Sequence, residues 1–187
     1  MFNPPNAMQT SKPIDVVLVD RHDAVLGTME KMEAHEKGLL HRAISILLYD
    51  SEGRMLVQQR ARSKYHWPLI WSNAVCSHPR LDESYADAAA RRLREELGID
   101  TPLEELFHFI YKATDPETGL TEHELDHVFA GTWDGDVPFN PTEVEAVRWM
   151  TMDALDDDLR TRPDDYSFWF KVIFQRLQNE KDVPTIK

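Results

Sequence analysis

The 187-residue sequence has a single cysteine, Cys76. That scarcity excludes an intramolecular disulfide. A lone thiol in an acidic chain fits a reducing compartment, so a cytoplasmic location is expected. No uninterrupted apolar run is long enough to cross a bilayer, and Met1 to Lys12 lacks the apolar stretch of a secretory signal, so no membrane span is expected. Positive charge is short as well: 21 Lys and Arg against 33 Asp and Glu leave a formal charge of −12. Such a chain lacks the basic footprint of a nucleic-acid binder, and no nucleic-acid partner is expected. An anionic ligand would have to be drawn by a local basic pocket or a metal ion. Internal repeats and low-complexity tracts are absent too.

What is present suits one folded domain. Hydrophobic residues make up 42% and charged residues 29% of the chain, a balance typical of folded rather than disordered proteins. A chain of this length buries roughly 70% of its unfolded surface and needs no covalent staple. Residues 1–13, with Pro4-Pro5, read as a flexible tail, and residues 14–187 as a single domain.

Ile14 to Asp20, Arg42 to Asp50 and Arg54 to Arg60 read as strands, the last two joined by Ser51-Glu52-Gly53, where Gly53 is free to take positive φ. Glu83 to Leu97 reads as a helix with Ala86, Ala90, Leu93 and Leu97 on one stripe and Gly98 as terminator. Leu106 to Ala113, Glu122 to Trp133 and Ala146 to Met150 read as further strands. Pro163 opens a last helix whose apolar stripe is Tyr166, Trp169, Phe170, Ile173 and Leu177. Strands and helices do not alternate, which argues against a doubly wound parallel sheet and for an α/β sandwich with a mixed sheet.

Two motifs carry chemistry. On the Glu83–Leu97 helix, Arg92, Glu95 and Glu96 are three and four residues apart and so are neighbours. Glu96 lies at the edge of the apolar stripe, where its oxygens suit a hard cation such as Mg²⁺ bridging to a phosphate; a solvated face of Arg–Glu pairs fits the same spacing. Just before it, Asn73-Ala74-Val75-Cys76-Ser77-His78-Pro79 puts Cys76 and His78 on one face of extended backbone. A lone cysteine is ordinarily a small buried hydrophobe, but a thiol with an unperturbed pKa of about 8.5 is mostly protonated near neutral pH and can serve as a proton donor as well as a nucleophile.

His123-Glu124-Leu125-Asp126-His127 spells the H-E-x-x-H of zinc proteases, a motif that needs a helix. The continuation into Val128-Phe129-Ala130-Gly131-Thr132 is strand-like, and a strand puts Glu122 and Glu124 on one face and the two histidines on the other. His35 and His41 flank a loop. Taken with His78, Glu122 and Glu124 they would make a site of three histidines and two carboxylates, suited to Mn²⁺, Mg²⁺ or Zn²⁺.

The stretch Ser77 to Ile99 resembles a Nudix box, G-x5-E-x7-R-E-U-x-E-E-x-G-U, with Ser77 in place of the first Gly and Arg92 in place of the Glu after Arg91. The fold implied is a Nudix-like α/β/α sandwich with a mixed sheet. The whole set, from Glu30-Lys31, His35 and His41 through Trp67-Pro68, Cys76-Ser77-His78-Pro79 and Tyr111-Lys112-Ala113-Thr114-Asp115 to Glu122-His123-Glu124, resembles the type I isopentenyl-diphosphate isomerase family over nearly the whole chain.

The resemblance implies an isomerase interconverting isopentenyl and dimethylallyl diphosphates by metal-assisted proton addition and removal through a carbocation-like state. It further implies Cys76 and Glu124 as the acid/base pair, Tyr111 assisting beside Glu124, and Trp169 as a π wall for the cation, a role compatible with core packing. His35, His41, His78, Glu122 and Glu124 would hold one ion, and Glu96 a Mg²⁺ shared with the diphosphate. Lys31, Arg60, Lys64 and Ser77 match the diphosphate contacts, with Arg92 an addition. The partner would be a small prenyl diphosphate, and the protein a monomer or weak dimer. The alternative is a Nudix hydrolase of nucleotide-type diphosphates, against which Arg92 argues by replacing a metal-binding carboxylate with a cation; a non-catalytic diphosphate or metal-binding module would have no need of the Cys76, Tyr111 and Glu124 set.

Overall fold

Ala43, Ile44, Ile46, Leu47 and Leu48 are all buried, so the strand carrying them needs both faces covered. A computed structural model describes residues 15–179; the expected tail over residues 1–13, and Ile14, lie outside that range. In chain order the elements are β1 (Asp15–Val19), β2 (Val25–Glu30), α1 (Lys31–Lys37), β3 (His41–Tyr49), β4 (Met55–Arg60), β5 (Trp71–Asn73), β6 (Val75–Ser77), α2 (Tyr85–Leu97), β7 (Glu104–Thr114), β8 (Thr121–Thr132), β9 (Val144–Met150), α3 (Met152–Thr161), a 3-10 turn at Pro163–Asp165, and α4 (Phe168–Asn179).

The apolar strand is β3, and the sheet is built around it. β3 runs parallel to β8 from His41 opposite Glu124 to Tyr49 opposite Thr132, while β1, β4 and β6 pair with it antiparallel. β7 joins β8 antiparallel and β9 joins β4 antiparallel. The mixed sheet expected from the sequence is therefore present. Successive residues of β3 point to opposite faces. Ile44, Ile46 and Leu48 pack with Ala88, Ala89, Leu93 and Leu97 of α2; Leu47 packs with Leu155 of α3 and Trp169, Phe170, Ile173 and Phe174 of α4. Helices on both faces of a sheet make the α/β/α sandwich. Among the described residues no helix is long and apolar enough to cross a membrane.

Local signals held where turn chemistry is strict. Gly53 has φ +74° in the hairpin and Gly98 has φ +66° at the end of α2, both left-handed conformations that glycine adopts without steric cost. Three expectations need correction. The buried face of α2 follows Ala88, Ala89, Leu93, Glu96 and Leu97, and Ala86 is exposed; alanine methyls are too small to orient a helix, and the two leucines set its rotation. Pro163 opens the 3-10 turn, not the last helix, because Tyr166 is held extended beside Trp71 and the Ser167 N–H bonds to the Trp71 carbonyl at 2.9 Å. His35 and His41 do not flank a bare loop: His35 lies on α1 and His41 begins β3.

Candidate active site

Strand register assembles the site. Glu124 on β8 lies opposite His41 on one side and opposite Tyr111 of β7 on the other. Glu122, two residues earlier, shares its face, as the period of a strand requires. The short helix α1 delivers His35, and His78 follows directly on β6. The result is five side chains, His35, His41, His78, Glu122 and Glu124, whose ligand atoms all lie within 4.8 Å of one another. They are the five that the sequence brought together.

Their polar atoms face inward. His78 Nε2 is 2.9 Å from Glu124 Oε1, His35 Nε2 is 3.3 Å from Glu122 Oε2, and His41 Nε2 is 3.6 Å from Glu124 Oε1. His41 uses its other ring nitrogen, Nδ1, to donate to the Leu39 carbonyl at 2.8 Å, which leaves Nε2 as a bare lone pair. His35 Nε2, His41 Nε2 and Glu122 Oε2 are buried without a hydrogen-bond partner. Buried orphan atoms are costly unless something pairs them, and three imidazoles with two carboxylates are a donor set for a divalent transition metal. The residues present fit a divalent ion.

The electrostatics agree. Burial pulls His35 down to about 2 and holds His78 well below the ordinary histidine range, keeping both neutral and able to ligate. Burial opposes protonation of His41 too, but the Glu124 carboxylate facing it outweighs burial and raises that residue. Burial works against ionisation of Glu124, while His41, then hydrogen bonding with Glu122 and from Tyr111, prevail and lower it. Tyr111 donates to Glu124 Oε2 at 2.6 Å; burial, then the Glu124 charge, drives its phenol far above the usual range, so it stays a donor.

Cys76 comes from the other side. It sits on β6 opposite Ser45 of β3, and burial pushes its thiol up to about 12. Cys76, Glu124, Tyr111 and Trp169 line one small cavity of about 60 Å³ together with Lys31, Arg60, Lys64, Ser77 and Arg92. Trp169 lines the cavity and is also part of the core under α4, so core packing is shown. A larger concavity of about 700 Å³, bounded by Trp67, Asp115, Tyr166 and Phe168 among others, contains none of the expected site residues.

Four cations, Lys31, Arg60, Lys64 and Arg92, line this cavity in a chain with net charge −12, a local concentration of positive charge able to attract an anion. Arg60 is held by its Nε and Nη2 donating to the carbonyls of Trp67 and His66, at 3.0 and 3.2 Å. Lys64 pairs with Glu143, and the Lys31 ammonium lies 5.6 Å over the Tyr65 ring. Of the expected ligands, His78, Glu122 and Glu124 line the cavity, His35 and His41 lie behind it within the cluster, and Glu96 belongs to neither. It is buried and accepts from Arg92 Nη2 at 2.6 Å, while Arg92 itself lines the cavity.

The zinc-protease motif is dispersed as the strand reading requires. His123 bonds to the Gly38 carbonyl at 3.0 Å, and His127 stacks between Tyr85 and His108 on the opposite face from Glu124. Sequence reasoning missed His66, a buried histidine bonded to Glu122. The only signal was its place in the run Tyr65-His66-Trp67-Pro68. Asn73, Ser45 and Asp126, which surround the back of Cys76, were missed too.

The chain is similar to known proteins in sequence and in fold. The NUDIX domain model matches residues 39–170. An isopentenyl-diphosphate Delta-isomerase 2 of Aromatoleum aromaticum is 49% identical over 162 residues, 87% of this chain and 85% of that protein. An isopentenyl-diphosphate Delta-isomerase of Aliivibrio fischeri is 45% identical over 170 residues, covering 87% and 93%. Among solved structures, DR0079 from Deinococcus radiodurans superposes with a TM-score of 0.66 at 22% identity over 79% of this chain and 90% of that one. A MutT NUDIX hydrolase from Burkholderia pseudomallei gives 0.56 at 20% identity over 74% and 98%. These structural likenesses concern the fold.

Proposed function

We propose, from the premise that this chain belongs to the isopentenyl-diphosphate Delta-isomerase family of NUDIX-domain proteins, that it interconverts isopentenyl and dimethylallyl diphosphates with Cys76 and Glu124 as the proton-transfer pair. The observation that carries the reading is that these two groups, distant in the chain, line the same small cavity beside the His/Glu cluster and the four cations.

The reaction adds a proton to the terminal methylene carbon of isopentenyl diphosphate, leaving a tertiary cation at the branched carbon. Loss of a proton from the next methylene then gives dimethylallyl diphosphate. One of Cys76 and Glu124 gives the first proton, and the other takes the second; the direction of reaction sets which. Tyr111 keeps its own proton and, through its bond to Glu124 Oε2, steadies the carboxylate that transfers the proton. The Trp169 ring faces the developing cation, a contact worth up to ~2 kcal/mol or more when desolvated. Lys31, Arg60, Lys64 and Ser77, with Arg92, bind the diphosphate and fix the hydrocarbon between the pair.

His35, His41, His78, Glu122 and Glu124 would hold a divalent ion, which would supply positive charge that fixes both carboxylates and relieves their mutual repulsion. Mn²⁺, Mg²⁺ and Zn²⁺ all suit that donor set. Glu96 would hold a second ion, Mg²⁺, shared with the diphosphate, once Arg92 releases the carboxylate it now pairs with. One chain supplies every residue named, which supports a monomer or weak dimer, and the lone thiol supports a reducing cytoplasm as its compartment.

The test is to incubate purified protein, Mg²⁺ and Mn²⁺ with isopentenyl diphosphate and follow product by NMR alongside phosphate release. Dimethylallyl diphosphate without free phosphate is expected. Phosphate release from a panel of nucleotide diphosphates, with no isomerisation, would overturn the reading in favour of a hydrolase.

A further inference from the structure

The His66 imidazole is 2% exposed, and neither ring nitrogen reaches water. Its Nε2 bonds to Glu122 Oε1, yet it is not one of the five residues whose ligand atoms converge. The other oxygen of the same carboxylate, Oε2, has no hydrogen-bond partner and lies 3.3 Å from His35 Nε2, itself unpartnered. Glu122 is therefore divided in two: one oxygen is tied down by His66, and the other is turned into the cluster. We propose that His66 is a positioning residue of the metal centre, holding Glu122 so that it offers Oε2 alone to a divalent ion.

The ring is itself firmly placed. It stacks on Tyr65 with centroids 4.3 Å apart and 30° between planes, packs against Trp67 at 5.3 Å and meets His35 edge-on at 5.5 Å. A carboxylate on a strand can swing about its terminal torsions, and an outer imidazole locked by three rings removes that freedom. The backbone carbonyl of His66 accepts from Arg60 Nη2 at 3.2 Å. One residue thus steadies a ligand of the ion with its side chain and a diphosphate-binding guanidinium with its main chain. Loss of such an outer partner typically weakens metal binding 10–100-fold.

The inference rests on the divalent-ion part of the reading above, not on the isomerisation. The experiment prepares metal-free wild type, His66→Ala and His66→Gln, and measures the Mn²⁺ dissociation constant of each by chelator competition, with the melting temperature of each metal-free form. His66→Ala is expected to bind Mn²⁺ about 10–100-fold more weakly, and His66→Gln, whose amide N–H₂ can still donate to Oε1, to recover most of that loss. Binding by His66→Ala within twofold of wild type would overturn the proposal. So would a His66→Gln variant as weak as His66→Ala with the same drop in metal-free melting temperature, because that pattern reports packing alone. A wild type that binds Mn²⁺ but makes no dimethylallyl diphosphate would count against the isomerase reading and leave the His66 comparison valid.

Discussion

Trp169 donates its indole N–H to the Cys76 sulfur across 2.8 Å. The thiol in turn donates to Asn73 Oδ1 at 3.0 Å, and the Ser45 and Ser72 hydroxyls lie 3.7 Å from the sulfur. Asn73 is fixed for this, since its amide N–H₂ donates to the carbonyls of Ile46 and Val75 at 3.1 and 2.8 Å. Groups on β3, β5 and α4 therefore set the position of one sulfur atom.

Trp169→Phe keeps an aromatic wall and deletes the N–H. A hydrogen bond to a charged group contributes about 1.5–3 kcal/mol, so steady-state kinetics should show kcat falling about 10–100-fold with KM little changed. An unchanged kcat would mean that the indole acts through its ring alone.

The half-buried thiol resists ionisation. With its pKa pushed up to about 12, the thiolate population rises only as pH climbs far above neutrality, and at pH 8 it is about one part in 10⁴. The rate of iodoacetamide alkylation of Cys76, followed by intact mass from pH 7 to 11, should rise about tenfold per pH unit without a plateau. A plateau near pH 9 would show an unperturbed thiol.

Metal removal should loosen the fold as well as stop turnover, because His35 Nε2, His41 Nε2 and Glu122 Oε2 are left buried without partners. An ion at about 100 times its dissociation constant stabilises by about 2.7 kcal/mol, which raises the melting temperature of a domain this size by about 5–10 °C. Thermal melts with chelator and with restored Mn²⁺ should differ by that much; coincident melts would mean that the cluster holds no ion.

How much of this was legible beforehand depended on the length and periodicity of each segment. β3, β4, β7, β8, β9 and α2 carry long apolar patterns or strict turn glycines, and all were readable. The seven-residue α1 and the three-residue β5 and β6 are too short to show a period, so His35 appeared to lie on a loop. The Cys76–Trp169 contact joins residues in β6 and α4, and only packing brings them together. The five cluster residues were legible through a family pattern and the alternation of a strand, whereas His66 matched no pattern, because its role comes from the fold around Tyr65 and Trp67.

The most direct test of the acid/base pair is deuterium wash-in. Isopentenyl diphosphate is incubated in D₂O with metal-loaded wild type or Cys76→Ala, and both isomers are analysed by mass spectrometry and NMR. Wild type should give dimethylallyl diphosphate with deuterium in a methyl group, while Cys76→Ala, folded by circular dichroism, should label neither isomer above background. Labelled product from Cys76→Ala at the wild-type rate would contradict the account.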